Sequence, residues 1–136
     1  MVMPLDSNNK LQKAYDLACS LIELPNSRKK HFSFLFIRNK PIQIGFNDSY
    51  KSHPLGSKFK TRYSSIHSEL DLLKKIDFDT DLLRVADFVN VRLIPTTLEL
   101  ATSRPCAYCI DLLTYYGVKK VTYSTANNHW CEEIFR

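Results

Sequence analysis

Apolar residues recur at helical spacing early in the chain, at Leu11, Ala14, Ala18, Leu21 and Ile22. The pattern predicts a first helix running to Pro25, with Asp6 or Ser7 as its cap. The period then changes. HFSFLFI (31–37) is rich in aromatic and branched residues and predicts a strand; RNK turns the chain into PIQIGFN (41–47), so the two predict a hairpin. DSYKSHPLGSKFKTRYSS (48–65) has no clear period, and loops this long inside a compact domain are usually functional or disordered. Ile66, Leu70, Leu73 and Ile76 mark one face of a second helix, and DFVNVRLIP (87–95) predicts a buried strand ended by Pro95. A third helix starts near Pro105, which fits a first turn, carries Ile110 and Leu113 inward, and stops at Gly117. KKVTYST (119–125) is the next strand, ANN reverses the chain, and HWCEEIFR supplies a short last strand. This order predicts an α/β fold of three layers, α-β-α, around a mixed central sheet of four or five strands.

The 136 residues suit one domain spanning 1–136, and 44% hydrophobic with 24% charged residues is an ordinary globular balance. No apolar run is long enough for a membrane span, and MVMPLDSNNK lacks a signal pattern, so a soluble, cytoplasmic protein with no membrane partner is expected. The net charge of +5 suits an anionic partner without deciding for one. In a reducing compartment the four cysteines need not pair. Cys19, on the apolar face of the first helix, and Cys131, near the C-terminal end, read as buried or idle thiols. Cys106 and Cys109 form a C-x-x-C.

Cysteines three apart at a helix start share a face, so both sulfurs can reach one ion. The helix N-terminus favours their thiolates. His67, at the start of the preceding helix, would complete three protein ligands and leave the fourth tetrahedral position to water, the geometry of a catalytic zinc. Glu69 does not point the same way as His67 and can stand beside that water as a proton carrier, zinc having lowered its pKa from about 16 to about 7. Other readings stay open. H-x-E alone is commonplace, and a lone C-x-x-C can be structural zinc, a redox pair or neither. A redox role is disfavoured, since Pro105 rather than a strand precedes the motif. A structural Cys₃His site would need Cys131 or Cys19.

H-x-E followed by P-C-x-x-C is the zinc deaminase signature. The chain resembles the cytidine deaminase superfamily over roughly residues 30 to 126, and is most similar to small deaminase-like proteins of bacteriophage genomes. Those share the progression G-x-N, K-T-H-P, H-A-E, S-x-P-C-x-x-C, Y-S-T. Here it reads Gly45-Phe46-Asn47, Lys51-Ser52-His53-Pro54, His67-Ser68-Glu69, Ser103-Arg104-Pro105-Cys106-Ala107-Tyr108-Cys109 and Tyr123-Ser124-Thr125.

The resemblance implies a cytidine-deaminase-like fold and a zinc-dependent hydrolase. His67, Cys106 and Cys109 would bind Zn2+, and Glu69 would move a proton to the ring nitrogen and the leaving ammonia. Asn47 would contact the substrate's sugar or base, or is simply a turn residue at the strand end. His53 would be a loop-packing or lid residue, or a substrate contact. Three departures bear on the pocket. Ser68 replaces alanine in H-A-E, Arg104 separates Ser103 from Pro105 where many nucleoside deaminases have serine directly before proline, and Asp71 stands where deoxycytidylate deaminases carry H-A-E-x-N. A backbone carbonyl near Ser103 and Arg104 would then meet the departing amino group. His31 and His129 have no partner in sequence and read as surface or strand-end residues; Tyr115 and Tyr116 read as packing.

The resemblance thus implies deamination of cytosine in a (deoxy)cytidine nucleoside or nucleotide. Its competitors are a deaminase acting on a base in single-stranded DNA or RNA, and an inactive zinc-stabilised binding module. Superfamily members are often oligomers, so a homo-oligomer is the expected protein partner by analogy.

Segment 48–65 carries Lys51, Lys58, Lys60 and Arg62 against Asp48, or +3 of the net +5, interleaved with Tyr50, Phe59 and Tyr63. It reads as a solvated basic loop or as a lid gripping substrate phosphate. Charge-assisted contacts are worth about 1.5–3 kcal/mol each, enough to separate a nucleoside from its monophosphate. Neutralising Lys58, Lys60 and Arg62 should therefore slow turnover of the monophosphate alone if the lid grips a single phosphate. If it tracks a strand, loss on an oligonucleotide should deepen steeply with salt. Unchanged rates on nucleoside, monophosphate and oligonucleotide at two salt concentrations would make the loop a bystander.

Overall fold

A computed structural model describes residues 2–4, 9–49 and 66–135. The cap positions Asp6 and Ser7, and most of the basic segment with His53, lie outside the described residues. The elements are β1 (Val2–Pro4), α1 (Asn9–Ser20), β2 (Lys30–Ile37), β3 (Lys40–Phe46), α2 (Ser68–Lys75) and α3 (Thr80–Val85). Then come β4 (Asp87–Leu93), β5 (Leu100–Ala101), α4 (Ala107–Tyr115), β6 (Lys120–Thr125) and β7 (His129–Ile134).

The sheet is open and mixed, in the order β1-β7-β6-β4-β2-β3, with β5 paired to the end of β4. Only β4 and β6 run parallel; the other described pairs are antiparallel. Six strands on the main path exceed the four or five predicted, because β1 and β5 hold three and two residues, too few to carry a period. Further differences are local. Ser20 turns its hydroxyl onto the Leu17 carbonyl at 2.9 Å, ending α1 before Pro25. Ile66 lies outside α2 because its backbone pairs with Asp48. α3 was not expected; Asp79 caps it, accepting from the Leu82 N–H at 3.1 Å. In α4, Cys109, Leu112 and Leu113 are buried, and Ile110 is only half-buried. No described helix is long and apolar enough to cross a membrane.

Two turns show the local chemistry at work. Arg38 and Asn39 both have positive φ, 51° and 65°, the two-residue turn that matches hairpin twist. Gly117, at φ 92°, closes α4: its N–H reaches the Thr114 carbonyl at 3.0 Å and the Val118 N–H reaches Leu113 at 2.9 Å.

Strand alternation sorts side chains into two cores. Phe32, Phe34, Phe36, Val89 and Val91 pack with Leu11, Ala14 and Ala18 of α1. Leu35 and Phe88 face the other way, with α2, α3 and α4. On this second face the row changes character along the strands. The cross-strand pair Leu35/Phe88 is followed by Ser33/Asn90 and then His31/Arg92. The N-terminal end of α2 sits over this polar stretch, with Ser68 2.9 Å from Ser33.

Two contacts fix where α2 begins. Asp71 accepts the Phe46 N–H at 2.9 Å, and Gly45 lies so close to the helix that a Cβ there would meet the Ser68 carbonyl oxygen and come within 2.5 Å of the Leu72 nitrogen. Both obstacles are backbone and cannot rotate away. Gly45→Ala should therefore cost about 1–3 kcal/mol through overpacking and push the start of α2 off the sheet. A thermal unfolding midpoint equal to wild type would show that the two elements are not in such contact.

Candidate metal centre

Two helix N-termini converge over the polar stretch. His67 is the N-cap of α2 (φ −82°, ψ 157°) and Cys106 that of α4 (φ −67°, ψ 166°), and neither side chain makes a capping hydrogen bond. Such positions favour Ser, Thr, Asp or Asn, whose oxygens bond back to the helix. Here the side chains turn toward each other. Because Cys106 is the extended cap, Pro105 stands one residue before it, not in the first turn as expected. The C-x-x-C spacing then brings the Cys109 sulfur to the same place from inside the helix.

His67 Nδ1 lies 3.2 Å from Cys109 Sγ and 3.8 Å from Cys106 Sγ. One ligand atom from each of the three residues lies within 4.8 Å of the others. Ordinary tetrahedral zinc bonds place nitrogen and sulfur ligands about 3.5 Å apart. The three residues are thus close enough to bind one metal ion, and two sulfurs with an imidazole suit zinc. Among the described residues neither candidate for a fourth cysteine ligand joins them. Cys19 packs against the core under α1 and Cys131 against the opposite core.

The electrostatics differ between the two cysteines. Hydrogen bonds from Cys109 and His67 hold the Cys106 thiol down to about 4. Cys109 is pushed well above the usual thiol range by its hydrogen bond with Cys106 and by burial. His67 is raised, chiefly by its hydrogen bond with Cys106. The contact between the two thiols thus favours ionisation at Cys106 and opposes it at Cys109.

A cavity of about 300 Å³ opens on this cluster, lined by His67 and Cys106 but not Cys109. Glu69 and Ser68 line it from α2, Asn47, Asp48 and Ser49 from the end of the hairpin, and Ile66 from the residues just before α2. Glu69 is 6% exposed. Its Oε2 accepts from Asn90 Nδ2 at 2.9 Å and its Oε1 from the Ser68 hydroxyl at 3.2 Å.

The other expected contacts are placed as follows. Asn47 lines the cavity while its amide bridges the start of β2, with Oδ1 accepting the His31 N–H at 3.0 Å and Nδ2 donating to the Lys29 carbonyl at 2.7 Å. Arg104 lines the cavity with its guanidinium engaged on both Glu133 oxygens, at 2.8 and 2.9 Å. Ser103 does not line it. Its buried hydroxyl lies 2.8 Å from the Ser124 hydroxyl and 2.9 Å from the Asn90 carbonyl. Asp71 points to the β3 backbone and pairs with Lys75 at 2.9 Å.

Two residues of this site escaped the sequence reading. His31 is a strand-end residue, second in β2, and it also lines the cavity, held neutral at a pKa of about 4 by burial and by the charges of Arg92 and His67. Asn90 underlies Glu69. The signal for both was present as polar residues at inward positions of apolar strands, HFSFLF and FVNVRL.

If these three residues hold one ion, purified protein should carry about one zinc per chain. Cys106→Ser and Cys109→Ser should lose both metal and stability, because binding a site formed only by the fold contributes folding free energy. Elemental analysis of the three proteins, with thermal unfolding beside it, checks this; unchanged zinc in either variant would remove the assignment.

No protein-family model matches the sequence. No curated protein matches it either.

Proposed function

We propose that the chain is a zinc-dependent hydrolytic deaminase of the cytidine deaminase superfamily, converting cytosine to uracil in a nucleoside or nucleotide. One observation carries the reading. A buried carboxylate, Glu69, stands on a cavity beside a three-ligand cluster to which it does not itself belong. A structural metal site has no use for such a group. His67, Cys106 and Cys109 would hold the ion, which supplies Lewis acidity and makes hydroxide available near neutral pH.

The chain's own part is proton transfer and orientation. The attacking water loses a proton to Glu69, and its oxygen adds to C4 of the ring. Glu69 delivers that proton to N3. It then carries the remaining hydroxyl proton to the amino group as the C4–N bond breaks, so that ammonia leaves and the oxygen becomes the carbonyl. Asn47 and His31 stand where sugar or base would lie. A neutral imidazole offers that ligand one donor and one acceptor.

A second reading, a base in single-stranded nucleic acid, is favoured by one feature. A shallower groove of about 930 Å³ runs on from the cavity past Ser27, Lys29 and Ser49, and adds Arg28 and Lys30, with Glu23 the one carboxylate among the described residues that line it. Phosphates beyond the reacting nucleotide would find cations there.

Incubation with cytidine, deoxycytidine, their monophosphates, adenosine, guanine and a cytosine-containing single strand should raise the mass of one substrate class by about 1 Da. Glu69→Gln should keep its zinc and lose activity by at least the roughly 10²–10⁴ of general acid–base catalysis. No turnover of any substrate by zinc-loaded protein would leave the binding-module reading. Loss of zinc from Glu69→Gln would make Glu69 a ligand.

A further inference from the structure

Asn90 occupies an inward position of β4, 2% exposed, on the face that Phe88 begins. An apolar residue would continue that core. A buried amide is tolerated there only if its donors and acceptor are paired, and all are. Oδ1 accepts from the Ser33 hydroxyl at 2.7 Å. Nδ2 donates to Glu69 Oε2 at 2.9 Å and to the Ser103 carbonyl at 3.2 Å. The Ser103 carbonyl can only accept, so the amino end must be the one turned toward α2, and the amide has a single orientation. Ser33 sits directly opposite Asn90 in the β2–β4 register. Its one proton goes to Oδ1, which leaves the Ser68 hydroxyl, 2.9 Å away, to donate either to Ser33 or to Glu69 Oε1.

We propose that Asn90 is the positioning residue for Glu69, anchoring Oε2 and tying the carboxylate through one side chain to the carbonyl three residues before Cys106. This rests on Glu69 being the proton carrier. It divides the labour between the two oxygens: Oε2 is held, and Oε1, beside Ser68, is left to exchange protons. An amide suits the task because it donates firmly and does not itself take up or release a proton near neutral pH. Through Ser103 it also couples the carboxylate to the turn that presents the metal ligands, so a shift of that turn moves Glu69 with it.

Asn90→Leu keeps the branched skeleton and removes the donor; Asn90→Asp keeps the shape and sets a like charge against Glu69. On the zinc-loaded protein both should lower kcat about 10- to 100-fold, the cost of a misplaced reacting group, with KM little changed and zinc retained. In a Glu69→Gln background Asn90→Leu should cost nothing further, because the residue it positions no longer carries a proton. A full multiplicative loss in that double variant, or unchanged kcat in both single variants, would overturn the proposal while leaving the deaminase reading intact. A readout without turnover covers failure of the Asn90 variants to fold. The Asn90 side-chain amide protons, followed by NMR in otherwise unaltered protein, should move on Glu69→Gln, one more than the other. If neither moves, Asn90 does not hold Glu69. If they move but wild-type protein turns over no substrate, the deaminase reading falls and the positioning claim falls with it.

Discussion

His67 and Cys106 occupy positions at which a helix ordinarily satisfies its own first N–H groups, and neither does so. Everything else at the site follows from that exchange. An uncapped N-terminus keeps its partial positive charge, and two such termini face one small volume. Such a field favours anions, and at Cys106, one of those N-caps, the hydrogen bonds from Cys109 and His67 hold the thiol down to about 4. Local stability of each helix end is given up for side chains free to meet one another.

Such an exchange works only if both helices are fixed by other means. For α2 the means are Asp71 on the Phe46 N–H, Lys75 on the Ile44 carbonyl at 3.0 Å, and the bare approach at Gly45. For α4 they are the Ser103–Ser124 contacts before it, with the Ser103 N–H on the Ser124 carbonyl at 2.9 Å, and the glycine closure behind it. Asp71, which marks a departure from the H-A-E-x-N pattern, therefore has a role that concerns helix placement rather than substrate.

Much of this was legible in the sequence, for a definite reason. The ligand motifs are local, so their spacing alone brings Cys106 and Cys109 together, and the long strands announce themselves by alternation. What was not legible depended on register. Whether Asn90 meets Ser33, and whether His31 faces the cavity or solvent, is decided by the pairing of β2 with a strand more than fifty residues away. The short strands β1 and β5 form because neighbouring strands offer them partners, not because two or three residues prefer extension. Cys19 and Cys131 show the converse: free thiols that fit a ligand set on paper, yet sit in separate cores.

The polar row under α2 explains why the fold tolerates so much buried polarity near its centre. Ser33, Ser68, Glu69, Asn90, Ser103 and Ser124 are all buried. Singly, each would oppose folding by losing water without replacement. Together they form one connected network, from Ser68 through Ser33 and Asn90 to Ser103 and Ser124, in which each hydroxyl or amide is paired. A connected network of this kind is nearly neutral when complete and costly when one member is missing. Its value to the molecule is therefore not stability, which Leu and Val would supply better, but a fixed geometry for one carboxylate beside a cluster able to hold a metal.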